Sequence, residues 1–171
     1  MRRKSKKNTY ISLMKLECWY IGKTNATYLR EGIQLYEKRL KHYIPIEQLV
    51  ISDVKQAGKL LPKALKEKEA QAVLKKLDNR DGLILLDERG KMYGSVELAN
   101  WLDKQFQMPY RKLIFLVGGA FGFDQTIYNR ANGKLSLSKM TFSHQMVRLF
   151  LMEQIYRAMT ILKNEPYHNE G

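Results

Sequence analysis

The sequence predicts an α/β domain built on a parallel sheet, and three features of its pattern carry that expectation. Short hydrophobic runs (LECWYI, IEQLVI, GLILLD, KLIFLV) alternate with longer amphipathic stretches, the order of strand–helix units. GLILLD and KLIFLV are apolar at consecutive positions, as strands buried on both faces are. No internal repeat or Pro/Gly/Ser-rich linker interrupts the series, so residues 14–171 are expected to form a single domain.

Leu16 to Gly22 reads as the first strand, followed by a helix from Asn25 to Leu40 with Leu29, Ile33, Tyr36 and Leu40 on one face. Ile46 to Ile51 is the second strand. Lys59 to Leu77 is a Lys- and Glu-rich helix that tolerates Pro62 in its first turn. Gly82 to Asp87 is the third strand, and DERG after it reads as a loop. Ser95 is expected to cap a helix carrying Val96, Leu98, Ala99, Leu102 and Phe106. Lys112 to Gly119 is the fourth strand. A short helix from Asp124 to Ala131 and a small strand from Lys134 to Leu137 follow.

The last helix, His144 to Leu162 with Ser143 as its N-cap, bears two apolar stripes. Val147, Leu151, Ile155 and Leu162 form one; Met146, Leu149, Met152, Tyr156 and Met159 form the other. Gln145, Arg148, Glu153 and Arg157 leave little polar circumference, and Glu153 can pair with Arg157 one turn on. A helix so apolar is buried all round, and its place near the chain end points to a subunit interface.

Lys and Arg total 30 against 17 Asp and Glu, a net charge of +13. Such an excess suits a phosphate-rich partner, whose counterions it would release. Arg2, Arg3, Lys4, Lys6 and Lys7 crowd the first thirteen residues, expected to be a flexible basic arm and not a secretory signal. Translation starting at Met14 would yield the domain without it. No stretch approaches a membrane span. The single cysteine, Cys18, rules out an internal disulfide and reads as a buried strand residue.

Three loops carry the candidate chemistry. In LVGGAFGFD, glycines between a buried strand and a helix let a ligand approach the backbone. The spacing Gly118-Gly119-x-x-Gly122 is not a dinucleotide fingerprint, and no P-loop motif occurs. The DERG loop should share a rim with it, since ligands of parallel sheets bind at the carboxyl ends of strands. In LSLSKMTFSH, the apolar Leu137, Met140 and Phe142 in an exposed loop suit a flat ligand such as adenine, held by backbone hydrogen bonds.

In this order, LILLDERGKMYGS, IFLVGGAFGF and LSLSKMTFSHQMVRLFLMEQIYRA with NEPYH resemble the SPOUT methyltransferases. Within them the likeness is to the ribosomal RNA large subunit methyltransferase H family, and it spans MKLECWYIGK to NEPYH. The resemblance implies transfer of a methyl group from S-adenosylmethionine to N3 of a pseudouridine in 23S ribosomal RNA. It implies a cytoplasmic homodimer without metal, and a parallel-sheet sandwich whose carboxyl-terminal part is tied in a deep trefoil knot, a feature nearly absent from proteins. By motif, the cofactor would contact Leu86, Gly118 and Gly119, and Leu137, Ser138, Lys139, Met140, Thr141 and Phe142. Tyr167 and His168 would be the catalytic pair facing the substrate, with His168 positioning the uracil ring or accepting its N3 proton. Asn169 stands where the family commonly has a basic residue, and the basic arm lies outside the family pattern. Two other readings use the same charged surface: a non-catalytic RNA- or ribosome-binding protein, and a SPOUT methyltransferase acting on transfer RNA. The Tyr-His tail favours the large-subunit enzyme.

Overall fold

The computed structural model describes residues 14–169, and the basic arm expected at 1–13 lies outside them. Five strands form the sheet: β1 Lys15–Ile21, β2 Ile46–Ile51, β3 Gly82–Lys91, β4 Lys112–Val117 and β5 Gly133–Leu135. All pairings are parallel, in the order β2-β1-β4-β3-β5. Helices α1 Thr27–Leu40, α3 Ser95–Phe106 and α5 Met146–Leu162 cover one face. The other is covered by α2 Pro62–Leu74 and α4 Gln125–Arg130.

The consecutive apolar residues of the central strands serve both layers. Leu113, Phe115 and Val117 of β4 point toward α1, α3 and α5, whereas Ile114 and Leu116 point toward α2 and α4. Side chains alternate across a strand, so a strand covered on both faces has no polar positions to spare. Burying each such residue contributes roughly 1.5–3 kcal/mol. Cys18 is fully buried, and burial pushes its thiol up to about 12, consistent with a packing role.

Several element ends differ from expectation for local reasons. Ser95 is the first helical residue and not the cap; the amide of Gly94 is satisfied instead by Glu97 Oε2 at 2.8 Å. The first helix starts at Thr27, because the Arg30 guanidinium holds the carbonyls of Thr24 (3.1 Å) and Asn25 (2.6 Å) outside it. The helical residues of α5 begin at Met146, but Ser143 still caps it, its Oγ accepting from the Met146 amide at 3.0 Å.

DERG is not a loop beyond the strand. Both Leu86 and Lys91 pair with Leu135, so residues 87–90 form a bulge that re-enters the sheet. The bulge pushes Asp87 and Arg89 over the carboxyl ends of the strands. Gly90 is needed here, since a side chain would meet the Leu135 backbone at 2.5 Å.

Met152, expected on a face toward a second subunit, is instead wholly buried in this chain's own core with Leu151 and Ile155. The residue of α5 that stays exposed is Phe150, at 41%.

Candidate functional site

From β5 the chain passes to the opposite face of the sheet through residues 136–145, and this crossing builds a cleft. Its floor is the carboxyl end of β3 and β4, from Leu86 and Val117 to Gly118 and Gly119. One wall is the bulge with Asp87 and Arg89; the other is the crossing loop up to Val147. The cavity measures ≈ 420 Å³, within the range of small-ligand sites. Every residue expected to hold the cofactor lines it except Lys139.

The crossing loop is held by few bonds, which leaves its backbone available. Its start is tied to the bulged strand by the Ser136 amide to Lys91 O, 3.0 Å. Ser138 Oγ accepts from the Met140 amide at 2.9 Å, and Ser136 Oγ donates to Ser138 O at 2.9 Å. Among the described residues, nothing accepts from the amides of Leu137, Ser138, Thr141 or Phe142. Such amides beside apolar side chains fit a flat heteroaromatic ligand that satisfies them with its ring nitrogens. Backbone approach on the opposite side depends on the glycines. A Cβ at Gly118 would lie 3.1 Å from the Phe123 ring, and one at Gly119 would lie 2.9 Å from Glu69 Oε1.

The cleft lining carries two acids, Asp87 and Glu88, beside two cations, Lys66 and Arg89. Burial pushes Asp87 up, but hydrogen bonds from the Tyr128 hydroxyl, the Arg89 amide (2.8 Å) and the Arg89 guanidinium (3.4 Å) outweigh it. Its carboxyl therefore lies below the ordinary range and is ionised at neutral pH. Glu69, over Gly119, goes the other way: burial and then the nearby Asp53 carboxylate push it up to about 7. His144, at the end of the crossing loop, is held below its ordinary value, first by burial and then by Arg148.

Arg148 is what sequence reasoning missed. Read as part of a thin polar face, it is 0% exposed. Its guanidinium donates to His144 O (3.1 Å), Gly22 O (2.9 Å), Thr24 Oγ1 (2.9 Å) and Ile21 O (2.7 Å), and it lies 5.0 Å from the Tyr20 ring centroid. It thus joins the crossing loop to the carboxyl end of β1. The signal available in the sequence was an arginine inside an otherwise apolar stripe, a residue that must find acceptors if it is buried.

Tyr167 and His168 are not brought to this cleft. The tail folds back along α5 to its middle, where Tyr167 Oη donates to Glu153 Oε1 (3.1 Å) and lies 3.3 Å from Tyr36 Oη. Its ring packs 4.7 Å from that of Tyr156, and the Arg157 guanidinium lies 4.8 Å over it. His168 Nδ1 is 3.4 Å from Arg157 Nη1. The expected Glu153–Arg157 pair is present at 2.6 Å. From Val147, which lines the cleft, to Glu153 and Arg157, which hold the tail, α5 rises ~9–15 Å at ~1.5 Å per residue.

Comparison with known proteins identifies the family. A family model described as "Predicted SPOUT methyltransferase" matches residues 14–168. The chain is similar to the ribosomal RNA large subunit methyltransferase H of Parabacteroides distasonis, 51% identical over 157 residues that cover 92% of this chain and 100% of that one. The like-named protein of Cytophaga hutchinsonii is 51% identical over 156 residues, 91% of this chain and 100% of the relative. In fold it is similar to a probable methyltransferase from Bordetella pertussis, with a TM-score of 0.53 at 9% identity over 90% of this chain and 98% of that one. A probable methylase family protein from Haemophilus influenzae gives 0.52 at 12% identity, covering 92% and 72%.

Proposed function

Because the chain belongs to the SPOUT methyltransferase family, we propose that it methylates N3 of a pseudouridine in 23S ribosomal RNA, with S-adenosylmethionine as donor. The cleft carries this reading: glycines, unpaired loop amides and one fixed carboxylate meet at the carboxyl ends of β3 and β4. Leu86, Gly118, Gly119 and the loop from Leu137 to Phe142 would hold the adenosine part. The donor supplies a methyl group already activated on a sulfonium centre.

The protein's own work is then alignment and proton removal. Asp87, ionised at the cleft wall, is held there by Tyr128 and Arg89. The apolar Leu137, Phe142 and Val147 keep water from the same space. His168 is the group we assign to positioning the uracil ring and receiving its imide proton, with Tyr167 stacking on a base.

A catalytic tail held by Glu153 and Arg157 of α5, outside its own cleft, supports a homodimer in which each tail serves the partner's cleft. The exposed Met140 (75%) on the crossing loop and Phe150 (41%) on α5 offer apolar surface for such a contact. We also assign the carboxyl-terminal part the family's trefoil knot, a reading supported by the course of the chain from β5 across the sheet edge to α5. A single domain over 14–171 completes the proposal.

The deciding experiment mixes two inactive variants. Gly118→Val should abolish cofactor binding by calorimetry, and His168→Ala should slow labelled-methyl incorporation into unmodified ribosomes by about 10²-fold. Mixed dimers should regain a substantial part of wild-type activity, since one cleft then has both a working pocket and a working tail. Absence of cofactor binding by the wild type would sink the methyltransferase reading, and failure of mixing would sink the shared site.

A further inference from the structure

Beside the cleft lies a second concavity, a groove of ≈ 540 Å³ that shares Lys66, Arg89 and Tyr128 with it. Lys63 and Lys134 complete its basic lining, against a single acid, Asp124. Two elements supply the lysines independently: Lys63 and Lys66 stand one turn apart on α2, and Lys134 lies on β5. None of these three makes an ion pair with a described residue.

The acid in the groove and the nearest one in the cleft are already engaged, while Glu67 and Glu69 of α2 make no ion pair with the groove lysines. Asp124 caps α4, its carboxylate accepting from the Thr126 amide (2.9 Å) and hydroxyl (2.6 Å). Asp87 is held by Tyr128 and Arg89. The Tyr128 ring lies between two cations, 5.2 Å from the Arg89 guanidinium and 5.7 Å from Lys134 Nζ.

Helix stability does not explain the lysines. Lys63 stands in the first turn of α2, where no acidic residue is present and the backbone dipole disfavours a cation. A positive charge kept where it costs the helix, facing a groove that opens into the cleft, has a ligand as its physical justification.

We propose that this groove binds the phosphodiester backbone of RNA, guiding the strand whose base enters the adjoining cleft. Lysines are point charges that neutralise phosphates without reading sequence, and they sit here on rigid elements. The choice of RNA as occupant rests on the methyltransferase reading; the charge and shape of the groove do not.

The test is binding of a fluorescein-labelled RNA hairpin by anisotropy as a function of potassium chloride concentration. The double variant Lys63→Ala/Lys134→Ala should lower the slope of log affinity against log salt by about 1–2, because each lost phosphate contact removes ~0.7–0.9. Affinity at about 100 mM salt should fall about 10-fold or more. Neither residue lines the cofactor cleft, so calorimetric cofactor binding should persist and report an intact fold. A control variant neutralising the exposed Lys38, Lys75 and Lys104 should keep the wild-type slope. An unchanged slope in the groove variant, an equal loss in the control, or no RNA binding by the wild type would overturn the proposal. RNA binding through the groove without methyl transfer would sink the methyltransferase reading and leave the groove standing.

Discussion

Replacing Arg148 by alanine should be the most damaging single change on α5. Its four hydrogen bonds end on Ile21 O, Gly22 O, Thr24 Oγ1 and His144 O, in a place with 0% exposure. The carbonyls of Ile21 and Gly22 are buried and would be left unsatisfied, and the partly buried Thr24 Oγ1 and His144 O would lose their donor. At ~1–1.5 kcal/mol per lost bond the sum is ~4–6 kcal/mol. Relief from burying a charge, which already lowers the affinity of Arg148 for its proton, returns part of it. A net loss of ~3–4 kcal/mol remains, or ~10 °C in Tm for a domain of this size.

Two companion variants separate the causes. Arg148→Met restores volume but no donor and should recover only ~1 kcal/mol. Arg148→Lys keeps the charge but reaches acceptors from one point, where the guanidinium reaches three directions, and should recover less than half. The assay is thermal unfolding followed by circular dichroism, with cofactor calorimetry beside it. Loosening His144 and the crossing loop should weaken cofactor affinity about 10-fold, equivalent to ~1.4 kcal/mol. A Tm within ~2 °C of wild type for the alanine variant would refute the reasoning.

Glu69→Gln should be stabilising above neutral pH. The native carboxyl is raised from 4.5 to about 7, so the folded state holds the proton more tightly, and stability is highest below ~4.5 and falls as pH rises to about 7. Discounted for half-exposure, the variant should gain ~1–2 kcal/mol at pH 8 and nothing at pH 4.5 in denaturant titrations; an equal effect at both pH values would contradict the assignment. Tyr20→Phe should be neutral or stabilise by up to ~1 kcal/mol, because the buried Tyr20 hydroxyl lacks a geometric partner among the described residues and has only the weakly polar Cys18 thiol beside it. A loss above ~1 kcal/mol in the same titration would show that the hydroxyl is satisfied.

What was legible in the sequence was whatever depends on local pattern. Leu113 to Val117 read as a doubly buried strand because every position must face a helix layer. The glycine loop and the crossing loop were legible because their residue types answer to backbone approach, a local demand. Arg148 was not, because periodicity counts an arginine as solvated. Its acceptors lie more than 120 positions away, at |i−j| of 124 to 127, apart from His144. The bulge at 87–90 escaped for a similar reason: only the second pairing to Leu135 makes it part of a strand.

The tail shows how closeness in sequence misleads about closeness in space. Phe142 and Tyr167 are separated by little more than one helix, which suggests a loop and a tail that work together on one ligand. That helix is rigid, because its middle, Leu151, Met152, Ile155, Ala158 and Met159, is buried in the core against α1 and α3. It holds its two ends ~25 Å apart. The amino end is fixed to the cleft through Ser143 and Arg148; the middle holds the tail, through Glu153 and Tyr156 against Tyr167. The tail turns back along its own helix as far as Glu153, with Tyr167 bonded to Glu153 and Tyr36 and His168 beside Arg157. The loop and the tail that look like one site in the sequence are thus held apart in this chain, each bonded to a different stretch of α5.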